Sequence, residues 1–147
     1  MSGNPDMLAE IHGSFDRMTA MATLGASLDV VEKGAVTISL PMAPHILQQH
    51  GFVHAGVIST IADTACGYAA FTLMPPGSAV LTSEFKINLL SPAKGDRFEA
   101  VAKVIRAGKR VHVAMAEVFA ITGEGRKLIA VMLATLMVVE SDTGLSG

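Results

Sequence analysis

The sequence predicts an α+β domain in which an antiparallel sheet wraps around one long buried helix. Two observations lead to this prediction. Residues 55–73 are rich in alanine and apolar around almost the whole helical circumference, which is typical of a buried helix. The other regular stretches alternate like strands, are joined by short turns and show no βαβ repeat, and this order favours antiparallel pairing.

The segment before the central helix predicts a short helix and a hairpin. Apolar residues recur at helical spacing over residues 5–18, and Pro5 suits a first helical turn. Residues 27–32 and 35–40 alternate on either side of Lys33-Gly34, which indicates a β-hairpin. Residues 41–53 carry two prolines and a polar cluster, so they predict a loop.

Four strands are predicted after the central helix, which the sequence Pro75-Pro76-Gly77 terminates. They cover residues 79–90, 97–107, 110–122 and 128–139. Because short links join antiparallel neighbours, we expect these strands to form a meander. The 147 residues are predicted to form a single domain, with an N-terminal helix within residues 1–20 and a loose tail at residues 141–147.

Composition excludes several kinds of partner. The formal net charge of −2, with no large cationic cluster, argues against nucleic acid. The single cysteine, Cys66, rules out an intramolecular disulfide and suits a reducing compartment. The first residues lack the cationic stretch of a signal peptide, and no apolar run reaches the roughly 18 residues of a membrane span. We therefore expect a cytoplasmic protein without a membrane partner, and its 50% hydrophobic residues suggest an oligomer.

The chemically informative stretch is residues 48–56, a polar loop that leads directly into the central helix. The first amides of a helix have no internal partner and carry the positive end of its dipole. The backbone near Ala55 and Gly56 is therefore a candidate oxyanion site, and small side chains there allow a carbonyl group to approach.

Asp63 is the one charged residue between His54 and Leu81, and it lies in the middle of the apolar helix. A carboxylate in such surroundings costs several kcal/mol unless it is paired, hydrogen-bonded or protonated. Two interpretations remain open: a structural aspartate held by its own helix or by a facing hydroxyl, and a general base or nucleophile. Polar groups that converge beside a candidate oxyanion site favour the second.

From about Leu40 to Val138 the sequence resembles the PaaI-type hotdog thioesterases. In that family a G-x-x-H-G-G element opens the central helix, and an acidic residue follows on the helix. The element here reads GFVHAG at residues 51–56, with Ala55 in place of the first glycine of the H-G-G part, and Asp63 occupies the acidic position. The resemblance implies the hotdog fold and hydrolysis of an acyl-CoA thioester.

The resemblance also implies roles for the site residues. The amide of Ala55 polarises the thioester carbonyl, and Asp63 is the base or nucleophile. The family's polar residue three positions before Gly51 falls on Gln48, and His54 positions and orders the loop. In such enzymes the site forms across a dimer interface, so Asp63 is expected to face Gln48, His54 and Ala55 of the partner subunit, and two dimers are expected to form a tetramer.

Further residues are implied to contact CoA, which enters as part of the substrate and not as a separate cofactor. The turn at residues 106–110 resembles the one that the family places near the CoA phosphates, and its cations are Arg106, Lys109 and Arg110. A solvated hairpin tip would have the same composition. Ser83, Glu84 and Asn88 are implied to line the acyl and pantetheine channel, although a solvent-facing strand edge explains them equally.

Other groups of residues are weaker candidates for a functional site. His50 and His54 stand four residues apart, but Gly51 and the loop composition oppose a helix there, so no metal site is predicted. Cys66 is interpreted as a core residue rather than a nucleophile. The remaining histidines are interpreted as surface or strand-end residues: His12, His45 and His112. The alternatives to a thioesterase of small-to-medium aliphatic or aryl acyl-CoA are a non-catalytic acyl-CoA binding module and a hotdog hydratase or dehydratase.

Overall fold

The computed structural model describes residues 4–123, 125–140, 144–145 and 147. Its elements are α1 (Pro5–Arg17), α2 (Thr19–Leu24), β1 (Ser27–Glu32), β2 (Ala35–Pro41), a 3-10 turn (Pro44–Ile46), α3 (Ala55–Phe71), β3 (Ala79–Leu89), β4 (Arg97–Ala107), β5 (Val111–Thr122) and β6 (Gly125–Val139). This order confirms the α+β class with one long central helix. Of the tail predicted at 141–147, residues 141–143 and 146 lie outside the described residues.

The six strands form one antiparallel sheet in the order β1-β2-β4-β5-β6-β3. The predicted meander is therefore wrong in one respect, because β3 pairs with β6 at the edge of the sheet and not with β4. The seven residues between β3 and β4 run across the ends of the intervening strands. Leu90 N donates to Ile129 O at 2.8 Å, and Asp96 N donates to Ile121 O at 2.9 Å. Seven extended residues easily span the roughly 14 Å of three strand spacings.

Helix α3 packs against the concave face of this sheet, in contact with β2 to β6. The middle strands present a layer of fully or almost fully buried alanines to the helix, and the helix is itself rich in alanine. Small side chains on both surfaces let helix and sheet lie close together, so the core is dense although few of its side chains are aromatic. The sheet alanines are Ala100, Ala102, Ala114, Ala116, Ala130 and Ala134.

The N-terminal segment forms two helices where the sequence predicted one. The chain leaves helical geometry at Met18 (φ −80°, ψ 93°) and α2 ends at Gly25, which adopts a positive φ of 78°. Phe15 packs against the ring of Tyr68 with their centroids 6.0 Å apart, so α1 contacts the C-terminal half of α3. Met18 is neither glycine nor proline, so composition gave no sign of the break.

No helix in the described part of the chain is long and apolar enough to cross a membrane.

Two further details differ from expectation. Strand β6 begins at Gly125 and not at residue 128, and the Arg126 guanidinium lies 3.5 Å from the centre of the Phe119 ring on the paired strand. His112 was interpreted as a surface or strand-end residue; it does lie at the start of β5, but it is buried, with 2% of its surface exposed.

Candidate active site

The loop before α3 folds back on itself and ends at the start of the helix. Leu47 and Val53 form an isolated antiparallel bridge, and Gln48 N donates to Phe52 O at 2.8 Å. Gly51 adopts a φ of 86°, a region that favours glycine. The side-chain oxygen of Gln48 accepts a hydrogen bond from His50 N. The side-chain amide nitrogen of Gln48 is therefore left as a donor beside the helix start.

His54 is the N-cap of α3. Its Nδ1 accepts a hydrogen bond from Gly56 N at 2.8 Å, which satisfies one of the open amides of the first turn. A Cβ atom on Gly56 would approach His54 Nδ1 to 3.0 Å, so a larger residue would press on the capping ring. Nδ1 already accepts a hydrogen bond from a backbone amide, so this nitrogen is not free to act as a base. The contact orders the start of the helix.

Ala55 is the first residue of the helix, and its amide is the open donor of this site. No described residue accepts a hydrogen bond from Ala55 N, and the residue is exposed. It lines a cavity of about 560 Å³ together with Gln48, His54, Leu89 and Leu90. An unpaired amide at the positive end of a helix is suited to hold a developing oxyanion.

Asp63 lies about two turns further along the same helix. After Ile58, the partly exposed residues of α3 form one stripe made of Ser59, Thr60, Asp63 and Gly67. The hydroxyl of Thr82 donates to Asp63 Oδ1 at 2.7 Å, and no described residue donates to Oδ2. Burial raises the pKa of Asp63 above its ordinary value of 3.8, and the Thr82 hydrogen bond acts in the opposite direction.

This arrangement bears on the two interpretations of Asp63. A facing hydroxyl holds one oxygen, as expected for a structural aspartate, but no described residue donates to the second oxygen, and Asp63 lines a cavity of about 500 Å³. A carboxylate with a raised pKa and one open oxygen is suited to accept a proton from water or to attack a carbonyl group.

Thr82 is the site residue that sequence analysis missed. A β-bulge between Thr82 and Glu84 changes the phase of β3, so that Thr82 lies opposite the buried Leu136 on the helix side of the sheet. Ser83 donates instead to Thr135 O at 3.3 Å, and Glu84 accepts from the Thr135 hydroxyl at 3.1 Å. Asn88, paired with Val131, lies on the outer face, and its contact with CoA stays a prediction.

A single chain does not bring the two halves of the candidate site together. Ala55 and Asp63 are eight residues apart on one straight helix, which is about 12 Å along its axis. They line different cavities, with Gln48 and His54 beside Ala55 and with Thr82 beside Asp63.

The three predicted phosphate-binding cations lie at the β4–β5 turn. A bulge between Val104 and Arg106 places Arg106 on the outer face opposite Val113, and Lys109 and Arg110 lie in the turn itself. All three are exposed, and no ion pair between them and a carboxylate is found in the described ranges. The turn lies at the Asp63 end of the sheet, because paired positions run across the strands from Ala107 through His112 and Leu136 to Thr82.

Neither a thiol nucleophile nor a metal cluster is present in the part of the chain that the structure describes. Burial, and then the charge of Asp63, raise the pKa of Cys66 to about 12, so its thiol stays protonated at neutral pH. No group of three or more metal-binding side chains occurs among the described residues.

The antiparallel sheet with one long helix packed against it defines the hotdog fold. The family model of the thioesterase superfamily matches residues 50–126. The chain belongs to this superfamily and is a thioester hydrolase.

Individual relatives agree with the family assignment. A crystal structure of a thioesterase family protein from Silicibacter pomeroyi superposes with a TM-score of 0.89 and 46% identity, covering 91% of this chain and 98% of that one. The 1,4-dihydroxy-2-naphthoyl-CoA hydrolase of Listeria monocytogenes is 28% identical over 82% of this chain and 96% of its own length. The acyl-coenzyme A thioesterase PaaI of Escherichia coli is 27% identical over 69% of this chain and 71% of its own length. The predicted PaaI-type resemblance and hotdog fold are thus confirmed.

The Thr82 hydrogen bond predicts a change in pH dependence. A carboxylate that acts as base or nucleophile must be ionised, so we predict that kcat/KM falls as the pH drops through the pKa of Asp63, which burial raises above its ordinary value. Thr82→Val removes the interaction that lowers this pKa, so the acidic limb of the kcat/KM profile should move to higher pH. Thr135→Val is the matched control, because its hydroxyl binds Glu84 on the outer face and its loss should leave the limb in place. An unmoved limb in the Thr82 variant would contradict the role of Asp63 as the titrating group.

The cap predicts how two substitutions of His54 differ. His54→Ala leaves the Gly56 amide open and should lower the free energy of unfolding by about 1 kcal/mol, measured by urea denaturation. Asparagine is itself a good N-cap, so His54→Asn should recover both stability and turnover relative to the alanine variant. Equal loss of turnover in both variants would show that the imidazole takes part in the chemistry.

Proposed function

We propose that the protein hydrolyses acyl-CoA thioesters of small-to-medium aliphatic or aryl acids at a site shared between two copies of the chain. The observation that carries this proposal is a pair of groups on α3 without a hydrogen-bond partner among the described residues: the amide of Ala55 and the second carboxylate oxygen of Asp63. Relatives named as acyl-CoA hydrolases support the choice of thioester.

The proposed chemistry uses groups already in place. The thioester carbonyl oxygen accepts a hydrogen bond from Ala55 N, and the free amide nitrogen of Gln48 is a second polar contact in the same cavity. Asp63 removes a proton from the attacking water, a C–O bond forms, the C–S bond breaks, and the proton passes to the CoA sulfur. Direct attack by Asp63 to give an anhydride would use the same free oxygen.

A dimer would complete the site. Strand β3 lies at the edge of the described sheet, and its exposed apolar side chains include Leu81, Phe85 and Leu89, which are 52%, 45% and 54% exposed. Pairing of β3 with the same strand of a second copy would bury these residues. It would also bring the small residues of the α3 stripe towards the partner, so that Asp63 meets Ala55 and Gln48 of the partner subunit.

A tetramer of two such dimers follows from the outer face of the sheet. Leu81 pairs with Met137, and Met115 pairs with Leu133, all on the face turned away from α3. Leu81, Met115 and Leu133 are 52%, 37% and 51% exposed in one chain. Packing two dimers through these faces would remove this apolar surface from water.

The acyl group is proposed to occupy the cavity beside Asp63. Its lining is mainly apolar and includes Met18, Met21 and Phe71, while the hydroxyls of Ser14 and Tyr68, 3.0 Å apart, form a polar spot. A Cβ atom on Gly67 would meet no atom within 4 Å. A mid-helix glycine costs up to about 1 kcal/mol relative to alanine, and packing within the chain does not require it here. The space above Gly67 is therefore available to the acyl chain.

CoA itself is proposed to place its phosphates near Arg106, Lys109 and Arg110, at the same end of the sheet as Asp63, with Asn88 as a further contact. No additional cofactor takes part in the proposed reaction. Cys66 is free and buried, which is typical of a reducing compartment, and we propose a cytoplasmic location.

The direct test measures thiol release from short, medium, long and aromatic acyl-CoAs. Asp63→Asn should lower kcat by about 10²–10⁴-fold, as expected for loss of a general base. Ala55→Pro removes the amide proton at the first helical position, where proline is well tolerated, and His54 already has the extended ψ of 136° that a following proline needs. It should lower kcat by about 10²–10³-fold, whereas Ala55→Gly keeps the amide and should stay active. Binding of acyl-CoA by wild type without turnover would favour a non-catalytic binding module.

The shared site predicts complementation between inactive variants. When Asp63→Asn and Ala55→Pro subunits are unfolded and refolded together, half of the dimers should be mixed, and each mixed dimer should hold one intact site. Activity should therefore recover to about a quarter of wild type. No recovery, although mixed dimers are detected by mass spectrometry, would place the whole site within one chain.

Gly67 predicts a change in acyl preference. Gly67→Leu should reduce kcat/KM for longer and aromatic acyl groups by about tenfold or more, because its side chain would fill the cavity, and should spare acetyl-CoA. Gly67→Ala is the small control and should raise the free energy of unfolding by about 0.5–1 kcal/mol. Equal losses for all acyl lengths would place the acyl group elsewhere.

A further inference from the structure

The β4–β5 turn is held by contacts that reach beyond its own residues. Gly108 N donates to Val111 O at 3.0 Å, and the Arg110 carbonyl accepts from Val138 N at 2.9 Å. A Cβ atom on Gly108 would come within 2.6 Å of Val111 O, so the turn closes too tightly for any other residue without a shift of the backbone. Main-chain atoms thus fix Gly108 and Arg110, the first and last residues of a three-residue turn whose middle residue is Lys109.

The side chain of His112 also makes a hydrogen bond to this turn. Its Nε2 donates to the Gly108 carbonyl at 2.9 Å, and the ring is buried beneath the turn. Its Nδ1 is also buried and has no hydrogen-bond partner among the described residues. An unpaired buried acceptor is unfavourable, so an apolar side chain would fill this position at lower cost if packing were the sole requirement.

The position of the turn gives this hydrogen bond a functional meaning. His112 lies in the row of paired inner-face positions that leads through Leu136 to Thr82, the partner of Asp63. The turn carries cations without a described ion-pair partner, and burial lowers the pKa of His112, which keeps the ring neutral beside them at neutral pH. A turn that is already ordered loses less conformational entropy when an anion binds.

We propose that His112 is a positioning residue that holds the turn in the conformation in which Lys109 and Arg110 bind the phosphates of CoA. The proposal rests on the proposed function and adds to it a residue that does not touch the substrate. The hydrogen bond from His112 holds the Gly108 carbonyl in place and thereby fixes the conformation of the turn. The turn in this conformation orients Lys109 and Arg110 towards the phosphates.

The test compares acyl-CoA with the N-acetylcysteamine thioester of the same acid, which has the same reacting bond but no phosphates. His112→Gln and His112→Asn form a matched pair, because a glutamine amide nitrogen lies near the position of histidine Nε2 and the shorter asparagine does not reach it. In His112→Asn we expect KM for acyl-CoA to rise about tenfold with kcat nearly unchanged, and no change in KM for the truncated substrate. His112→Gln should stay close to wild type.

A double-mutant cycle links the effect to the cations. Replacing Lys109 and Arg110 together by alanine should lower the preference for acyl-CoA over the truncated thioester, and adding His112→Asn should then have no further effect on it. These two cations are exposed, so the double variant gives a result even where His112→Asn does not fold. An unchanged preference in that variant would overturn the proposal.

The remaining outcomes are also decisive. Equal KM changes for both substrates in His112→Asn, or a loss confined to kcat, would show a merely structural histidine and overturn the proposal. Failure of the wild type to release thiol from any acyl-CoA would overturn the proposed function, and the role of His112 with it. Turnover by the wild type with unaltered His112 variants would overturn the role of His112 alone.

Discussion

The structure depends on the burial of a helix that is apolar around almost its whole circumference. Such a helix must be covered, and the fold does this in parts: the alanine-rich face of the sheet lies under α3, and Phe15 of α1 packs against Tyr68 in its C-terminal half. What remains uncovered within one chain is the stripe that contains Thr60, Asp63 and Gly67. The stripe of α3 that the chain leaves uncovered is therefore the stripe that carries the carboxylate.

By our proposal, the rigidity of that helix also links activity to assembly. An α-helix cannot bend sharply enough to bring its first amide to a carboxylate about 12 Å along its axis, so Ala55 and Asp63 of one chain cannot act on the same thioester bond. The uncovered stripe and the exposed edge of β3 adjoin each other, and contact with a second copy would cover both. By our proposal the dimer interface and the active site occupy the same surface, which explains why small residues accompany Asp63 on the stripe.

Sequence patterns could predict the features that depend on local chemistry. The presence of α3, the loop before it and the isolation of Asp63 all followed from residue type and spacing; the helix start at Ala55 was placed correctly, and its end was placed two residues beyond Phe71. The position of β3 beside β6 depends on which distant strands meet, and the 90–96 segment carries no sign of its path. Thr82 was missed because a bulge shifts the alternation by one residue without any marker residue. The burial of His112 was missed because it depends on a turn that folds over the ring.

Two of these missed features, Thr82 and His112, lie close together in the fold, and there is a physical reason. The alternation of apolar and polar side chains can predict regular strand pairing, and the regularly paired strands pack against the helix. The bulges at Thr82/Glu84 and at Val104/Arg106 interrupt that pairing at the Asp63 end of the sheet, where each re-aims a side chain that the proposed chemistry uses. Thr82 is turned towards the carboxylate, and Arg106 is turned outward beside the cationic turn. Regular pairing thus supports the helix, while the bulged end beside Asp63 supplies the Thr82 hydrogen bond that lowers the pKa of this carboxylate and, by our proposal, the contacts with CoA.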